Sequence, residues 1–506
     1  MDKYLYKPNN SSNSYGLWMA YPACEAFALS SLGYMWLYKI ADTDPEINAE
    51  MVCTDKASSA NIKNAGAISF SMSFDFDFNG VFEIFDRYGI PYMAKDREDK
   101  FPLIFAGGPV ITVNPAPYKA FFDFMLIGDG ESLFPSVLDI LKQKFSKDET
   151  LNRLSQIDGV YVPSVNQNKE IKKITEELRE VIYTPVISDR SYFKDTFIIE
   201  TARGCMNRCA FCTASYMNLP FRSYGYKKII EAINLGLKHT DKIALLGAQV
   251  SGHPEFNEII DYISDKISSG HKIELGISSL RADAVSPKLI KVLAAGGQKT
   301  STIAIEAASE RLRRFINKNL REQQILDAVR ISRENGLKGL KIYSMIGIPE
   351  ETDEDISEFL RLAKLLKAEN KGFEITFSFS SFVPKPQTPF QWLPREDIKS
   401  LERKQKFLEK ELTKAGIETK FSSIKWDNWQ TVLSRGGEET AALLIDVHKN
   451  GGKIGAYKSA VKNLNLDITN ALQGFGAEEV LPWDITGFSP DKEFLKKEYK
   501  RLLSKL

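Results

Sequence analysis

One loop constrains this chain more than any other stretch. Residues 196–226 read TFIIETARGCMNRCAFCTASYMNLPFRSYGY, and three of the five cysteines, Cys205, Cys209 and Cys212, stand there as C-x3-C-x2-C with Phe211 just before the last. An apolar run at 197–200 predicts a strand feeding the loop. Three thiolates so closely spaced can wrap one face of an iron–sulfur cube, but a cube has four irons. One iron is therefore left without a protein ligand. A zinc knuckle or a set of buried structural thiols are the competing readings. Zinc takes four tetrahedral ligands, usually in paired spacings, whereas here no fourth cysteine follows and the nearest histidine is His239.

On these residues the chain resembles the radical SAM superfamily, whose signature loop has this spacing and an aromatic residue at this place. The resemblance implies a [4Fe-4S] cluster whose open iron takes the amino and carboxylate groups of S-adenosylmethionine. One electron then splits the sulfonium and releases a 5′-deoxyadenosyl radical. It also implies a partial (β/α)6 barrel and an electron donor of the flavodoxin or ferredoxin type.

Length and composition bound the rest. A chain of 506 residues with 43% hydrophobic content predicts three globular domains at roughly 150 residues each. Lys+Arg 67 against Asp+Glu 66 leaves a formal charge of +1, so no global field draws the protein to nucleic acid; a local basic patch stays open, and nucleic acid is not excluded as a partner. No apolar run approaches the roughly 18 residues of a membrane span, and the polar start MDKYLYKPNN lacks a signal-peptide core. The expected location is the cytoplasm. Cys24 and Cys53 are a poor basis for disulfides and read as buried small hydrophobes. A second cluster is beyond the cysteine count, which disfavours methylthio transfer.

Strands predicted at 17–21, 49–54, 66–71, 103–106 and 124–127, with helices at 27–40, 79–88 and 132–142, describe a doubly wound parallel sheet over residues 1–145. Ligands of such sheets sit at the carboxyl ends of the strands. Small residues gather there: Ser69 and Ser71, Gly107-Gly108-Pro109, and Gly128-Asp129-Gly130-Glu131. Asp129 and Glu131 read equally well as parts of a helix cap. The arrangement resembles the cobalamin-binding domain that precedes the barrel in a large subgroup of the superfamily, and the resemblance implies that Ser71, Gly107 and Gly108 hold the nucleotide tail of a corrinoid. One departure matters. The D-x-H-x-x-G histidine is missing, because the first strand-to-helix loop reads YPACEAFALSSLG. Any cobalamin here would have no protein histidine on cobalt, and the same absence suits a domain that keeps the fold without the corrinoid.

Residues 146–195 carry no chemical motif and read as a linker whose short β-prone runs, 159–163 and 181–186, cover the barrel's edge. From 196 to 394 the βα period is regular, with strands predicted at 197–200, 242–246, 272–277, 302–305, 340–345 and 375–379. Function should collect at their carboxyl ends. The resemblance places SAM contacts at Gly247, Ala248 and Gln249 after the second strand, at Ser278 and Arg281 after the third, at Glu306 after the fourth, and at Ile346 in the MIGIP turn that packs adenine. Arg281 could form a forked pair with the SAM carboxylate, and Arg222 could pair with it or line the substrate entrance. Arg311, Arg313 and Arg314 read as a solvated helix face. Residues 381–392, SFVPKPQTPFQW, form a proline-stiffened cap over the barrel mouth, and 395–506 an α-rich domain carrying SRGGEE and LPWD.

The expected fold class is therefore α/β: a cobalamin-binding-like doubly wound sheet, a partial (β/α)6 barrel and a small, mostly helical C-terminal domain. The expected activity is cobalamin-dependent methylation of an unactivated carbon on a small-molecule, lipid or peptide substrate. The alternatives are a radical rearrangement, carbon–carbon coupling or nucleic-acid base modification without cobalamin, and a non-catalytic SAM- or cluster-binding protein. No side chain is assigned a catalytic role.

Overall fold

The computed structural model describes residues 2–9, 14–58, 61–167 and 169–505. Its N-terminal sheet is built from β1 (Tyr15–Tyr21), β2 (Ile47–Cys53), β3 (Ala67–Ser71), β4 (Leu103–Gly107), β5 (Phe124–Leu126) and β6 (Val160–Tyr161), in the order β2-β1-β3-β4-β5-β6. All pairs are parallel except β5 with β6. Both faces are covered, so the strands read as nearly continuous apolar runs. Leu17, Met19, Ala67 and Phe105 join one core with the helices α1 (Leu32–Thr43) and α3 (Gly130–Leu141). Trp18, Ala20, Ile68 and Phe70 join the other, with α2 (Phe78–Tyr88). The expected helix at 27–40 is broken: a single turn, Glu25–Ala28, precedes α1. β6 lies in the stretch read as a linker and completes this sheet at its edge.

The barrel runs through β7 (Thr196–Glu200), β8 (Lys242–Leu246), β9 (Glu274–Ile277), β10 (Thr300–Glu306), β11 (Gly339–Ile346) and β12 (Glu374–Ser381). They form two parallel sheets, β7-β8-β9 and β10-β11-β12 with one further strand, joined by a parallel bridge between Leu280 and Ile303. Side chains alternate along the middle of most of these strands. Ile243, Leu245, Leu275, Ile303, Ile305, Ile342, Phe377 and Phe379 enter the core under the outer helices, while their neighbours Ala244, Thr302, Ala304, Lys341, Tyr343, Thr376 and Ser378 stay partly accessible on the lumen face.

Beyond residue 394 the chain is mostly helical and packs onto both preceding modules. After α4 (Ile398–Lys414), β13 (Glu418–Phe421) pairs in parallel with β12 and gives the barrel a seventh strand. The next helices, α5 (Ile424–Arg435), α6 (Thr440–Lys449) and α7 (Ile454–Asn463), bury Trp429, Leu433, Leu444 and Tyr457 in the same core as Phe70, Phe82 and Tyr118 of the N-terminal sheet. The physical reason is coverage. The late helices extend the apolar core that α2 and the segment 109–122 form on that face of the sheet. Among the described residues, no helix is long and apolar enough to cross a membrane.

Candidate cluster and cofactor site

The cysteine loop is framed by a small ladder. Just after β7, Ala202 and Arg203 pair antiparallel with Ser223 and Arg222, so residues 204–221 return to where they left. Gly204 opens the loop at φ 84°, where a Cβ would stand 2.6 Å from the Asn218 carbonyl oxygen; only glycine takes that conformation in that space. Cys205 and Cys209 are buried and Cys212 is half-buried, its amide donating to the Cys209 carbonyl at 3.0 Å. The Cys205 thiol lies 3.3 Å from Gln249 Oε1, and Asn207 Nδ2 donates to the same Gln249 oxygen. Gln249, expected in the SAM turn, thus braces the cysteine loop.

Burial pushes the Cys209 thiol up to about 12, with Lys318 pulling the other way, and burial likewise raises Cys212 against a hydrogen bond from Ser215. Such thiols ionise when a metal supplies the compensating charge. Three soft sulfur donors with no oxygen or nitrogen ligand suit iron–sulfur chemistry. Among the described residues, no group of three or more His, Cys, Asp or Glu is placed to hold a single metal ion; a cubane asks instead for one thiolate per iron. The residues fit a cluster.

Three charged groups stand close to the thiols. Glu306 ends β10 after a register shift, at φ 68°, a conformation a non-glycine residue adopts only when its surroundings hold it there. Its carboxylate pairs with Lys318 Nζ at 3.0 Å, both side chains being largely buried. Arg281 spends its fork on Asp283 at 3.0 Å through two nitrogens and also donates to the Lys318 carbonyl. The one nitrogen it leaves unpartnered among the described residues is Nη1.

The sheet and the barrel share one cavity of about 560 Å³, a size typical of small-molecule sites. Ser71, Gly107 and Gly108 line it from the sheet, Gly247 and Ala248 from the barrel, and Gly204, Ala214 and Met217 from the cysteine loop. Gly108, at φ 108°, would place a Cβ 2.5 Å from the Met72 carbonyl oxygen, so no other residue fits that turn. Ser69 lines the cavity too, but its hydroxyl turns back onto Met19 Sδ at 3.1 Å. Ser278 is elsewhere, in a second cavity along the lumen face of β8 and β9. Ile346 is buried in the core under the barrel helices, whereas Met345 and Ile348 pack in the cluster of residues that holds Ala210 of the cysteine loop.

A buried ion network closes the junction. Arg203 pairs with Glu200 at 2.8 Å, with Asp129 at 3.3 Å and with Glu131, and Arg222 pairs with Asp129 at 2.7 Å. Burial alone would raise the Asp129 carboxyl; Arg203, Arg222 and the Glu176 amide outweigh it and hold it below the usual carboxylate range. Asp129 makes no cap bond to its helix. Asp129 and Arg222 thus join the two modules, and Arg222 keeps one terminal nitrogen without a partner among the described residues.

Sequence reasoning missed three residues. Lys173, in the motif-free stretch, is buried in the wall of the shared cavity, where burial lowers its pKa. Lys318 had no signal except its place after the fourth strand. Arg313, read as solvated, is fully buried and donates to the carbonyls of Leu320 at 2.7 Å and Ala307 at 3.0 Å. It clamps the loop that leaves β10.

Comparison with known proteins agrees with this geometry. Residues 199–363 match the Radical SAM superfamily, and residues 35–163 match the N-terminal family of radical SAM proteins. An uncharacterized protein of Methanocaldococcus jannaschii is 32% identical over 397 residues, which is 77% of this chain and 82% of that protein. An uncharacterized methyltransferase of Pyrococcus horikoshii is 24% identical over 321 residues, 58% of this chain and 64% of that protein. Among solved structures, the cobalamin-dependent S-adenosylmethionine radical enzyme OxsB, with aqua-cobalamin and S-adenosylmethionine bound, aligns over 97% of this chain and 80% of its own, at a TM-score of 0.57 and 15% identity. That likeness is one of fold.

Proposed function

This chain belongs to the radical SAM superfamily, and from that premise we propose that it methylates an unactivated carbon of a small-molecule, lipid or peptide substrate, using a [4Fe-4S] cluster, S-adenosylmethionine and a corrinoid. The observation behind this reading is the shared wall: Ser71, Gly107 and Gly108 face the same cavity as Gly247 and Ala248, beside the cysteine loop. When bound, the cluster on Cys205, Cys209 and Cys212 would supply the electron that splits SAM, and the corrinoid would supply the methyl group. A flavodoxin- or ferredoxin-type donor would refill it.

The chain's own part is to bind, orient and shield. Gly247 and Ala248 bring backbone to the cavity with little side chain in the way. Glu306, fixed by Lys318, offers an acceptor to a ribose hydroxyl or an ammonium group. Arg281 has a single nitrogen left for a carboxylate, and Ser278 reaches a ligand only from the lumen side. For adenine, Met345 and Ile348 are better placed than Ile346. No histidine lines the shared cavity, so a corrinoid would be held by its tail and periphery without a protein imidazole on cobalt.

The lack of a histidine in the wall of this cavity favours a second reading: radical chemistry without cobalamin. One preparation separates the two. Protein made anaerobically in cells fed hydroxocobalamin should retain corrinoid through gel filtration and, with dithionite and SAM, release 5′-deoxyadenosine. Release without retained corrinoid supports the second reading. Absence of 5′-deoxyadenosine from iron-replete protein would remove both.

A further inference from the structure

The SRGGEE motif, residues 434–439, has no role in the reading above. Its serine faces the N-terminal sheet: Ser434 Oγ donates to Asp75 at 2.8 Å and receives Lys385 Nζ at 2.6 Å. Arg435 ends α5 with its side chain 1% exposed. One terminal nitrogen donates to the Leu393 carbonyl at 2.9 Å, and the guanidinium carbon lies 4.8 Å from the centre of the Phe475 ring. Nε and the other terminal nitrogen reach no acceptor among the described residues. Burial lowers the guanidinium pKa to about 9, and no acidic neighbour works against that.

A buried cation without a counter-charge is among the costliest arrangements in a protein core. Three carboxylates line the cavity beside it and are committed elsewhere: Glu439 accepts from the Gly437 amide at 2.8 Å, Glu479 from the Gly476 amide at 2.9 Å and Asp467 from the Thr469 amide at 2.8 Å. Arg435 lines a cavity of about 370 Å³ between α5, the start of α6 and the segment 466–482, and this cavity shares no lining residue with the one at the cluster. Much of its remaining wall is apolar, from Leu443, Ile468, Ala471 and Pro482. Gly436 sits where a Cβ would stand 2.1 Å from Thr440 Oγ1, so the motif's first glycine lets the chain turn tightly beside Arg435.

We propose that this cavity binds a small organic oxyanion, a carboxylate or a phosphate ester on a short apolar body, with Arg435 as its charged partner. The site is separate from the radical chemistry and stands or falls without it. The test is thermal denaturation of the full-length, cluster-loaded protein in inorganic phosphate, in butyrate and in chloride at matched ionic strength. Phosphate, butyrate or both should raise the midpoint saturably above chloride, and which of them does so tells the phosphate source from the carboxylate source. The rise should vanish in R435M, and also in A471F, which fills the apolar wall and keeps the cation. In R435K the midpoint concentration of anion should increase about tenfold, because a point charge replaces a fork. If R435M does not fold, A471F and R435K decide. No anion-specific rise in the wild type, or an undiminished rise in A471F together with R435K or R435M, would overturn the proposal.

Discussion

At the cluster end, the N-terminal sheet meets the barrel through opposed charges: Asp129 and Glu131 from one side, Arg203 and Arg222 from the other, with Glu200 joining in. At the far end the same module meets the C-terminal segment through separate contacts: Asp75 accepts from Lys385 at 2.7 Å, Gln430 at 2.9 Å and Ser434 at 2.8 Å, Asn114 donates to the Ser434 and Gly436 carbonyls at 3.0 Å, and Lys119 pairs with Glu438 and His448 with Asp86. The first junction borders a cavity and spends several mutually compensating charges to hold it open. The second joins packed surfaces, and its polar contacts are separate pairs rather than a shared network, Asp75 being the most connected of them. Charge is concentrated where the modules must stay apart, and economical where they simply adhere.

The strongest way to break this contrast is Asp129→Ala. It strips two largely buried arginines of a shared partner and should cost about 3–5 kcal/mol in a urea titration of the full chain; a loss below about 1 kcal/mol would mean that the junction behaves as a solvated surface pair. Asp75→Ala takes an acceptor from three donors, of which Lys385 keeps Ser434 Oγ, and should cost less, about 2 kcal/mol. A reversed order would invert the contrast. Acid should sharpen it. Because the folded protein holds the Asp129 carboxyl below its usual range, that stabilisation is complete above the unfolded value near about 4 and drains away as pH falls through the folded value. The gap in denaturation midpoint between wild type and Asp129→Asn should therefore narrow from about pH 6 to about pH 3; a gap that widens would refute the ion network. The smallest effect belongs to Lys119→Ala, whose partner Glu438 is 71% exposed and whose loss should stay within about 0.5 kcal/mol.

Much of this architecture is legible in the sequence, and the exceptions have a common cause. The cysteine loop is readable because its ligands are local, and β8 coincides with the predicted 242–246 because its apolar run is bounded by polar turns. β13, with the sequence ETKF, has no such pattern; it is a strand because β12 offers a free edge. Arg313 looks like Arg311 and Arg314 on paper, and only the carbonyls of Ala307, Ala308 and Leu320 converging on it make it a core residue. Lys173 reaches the shared cavity from a stretch without a motif, and Gln249 meets Cys205 from a different strand. What depends on two distant segments meeting is what a linear reading misses.

The late helices that cover the N-terminal sheet impose an order on biosynthesis. Phe70, Phe82 and Tyr118 emerge from the ribosome long before Trp429, Leu433 and Tyr457, with which they share a core. The first module made is thus left with an unsealed apolar face until nearly the whole polypeptide exists, and the nascent chain must be sheltered through that interval.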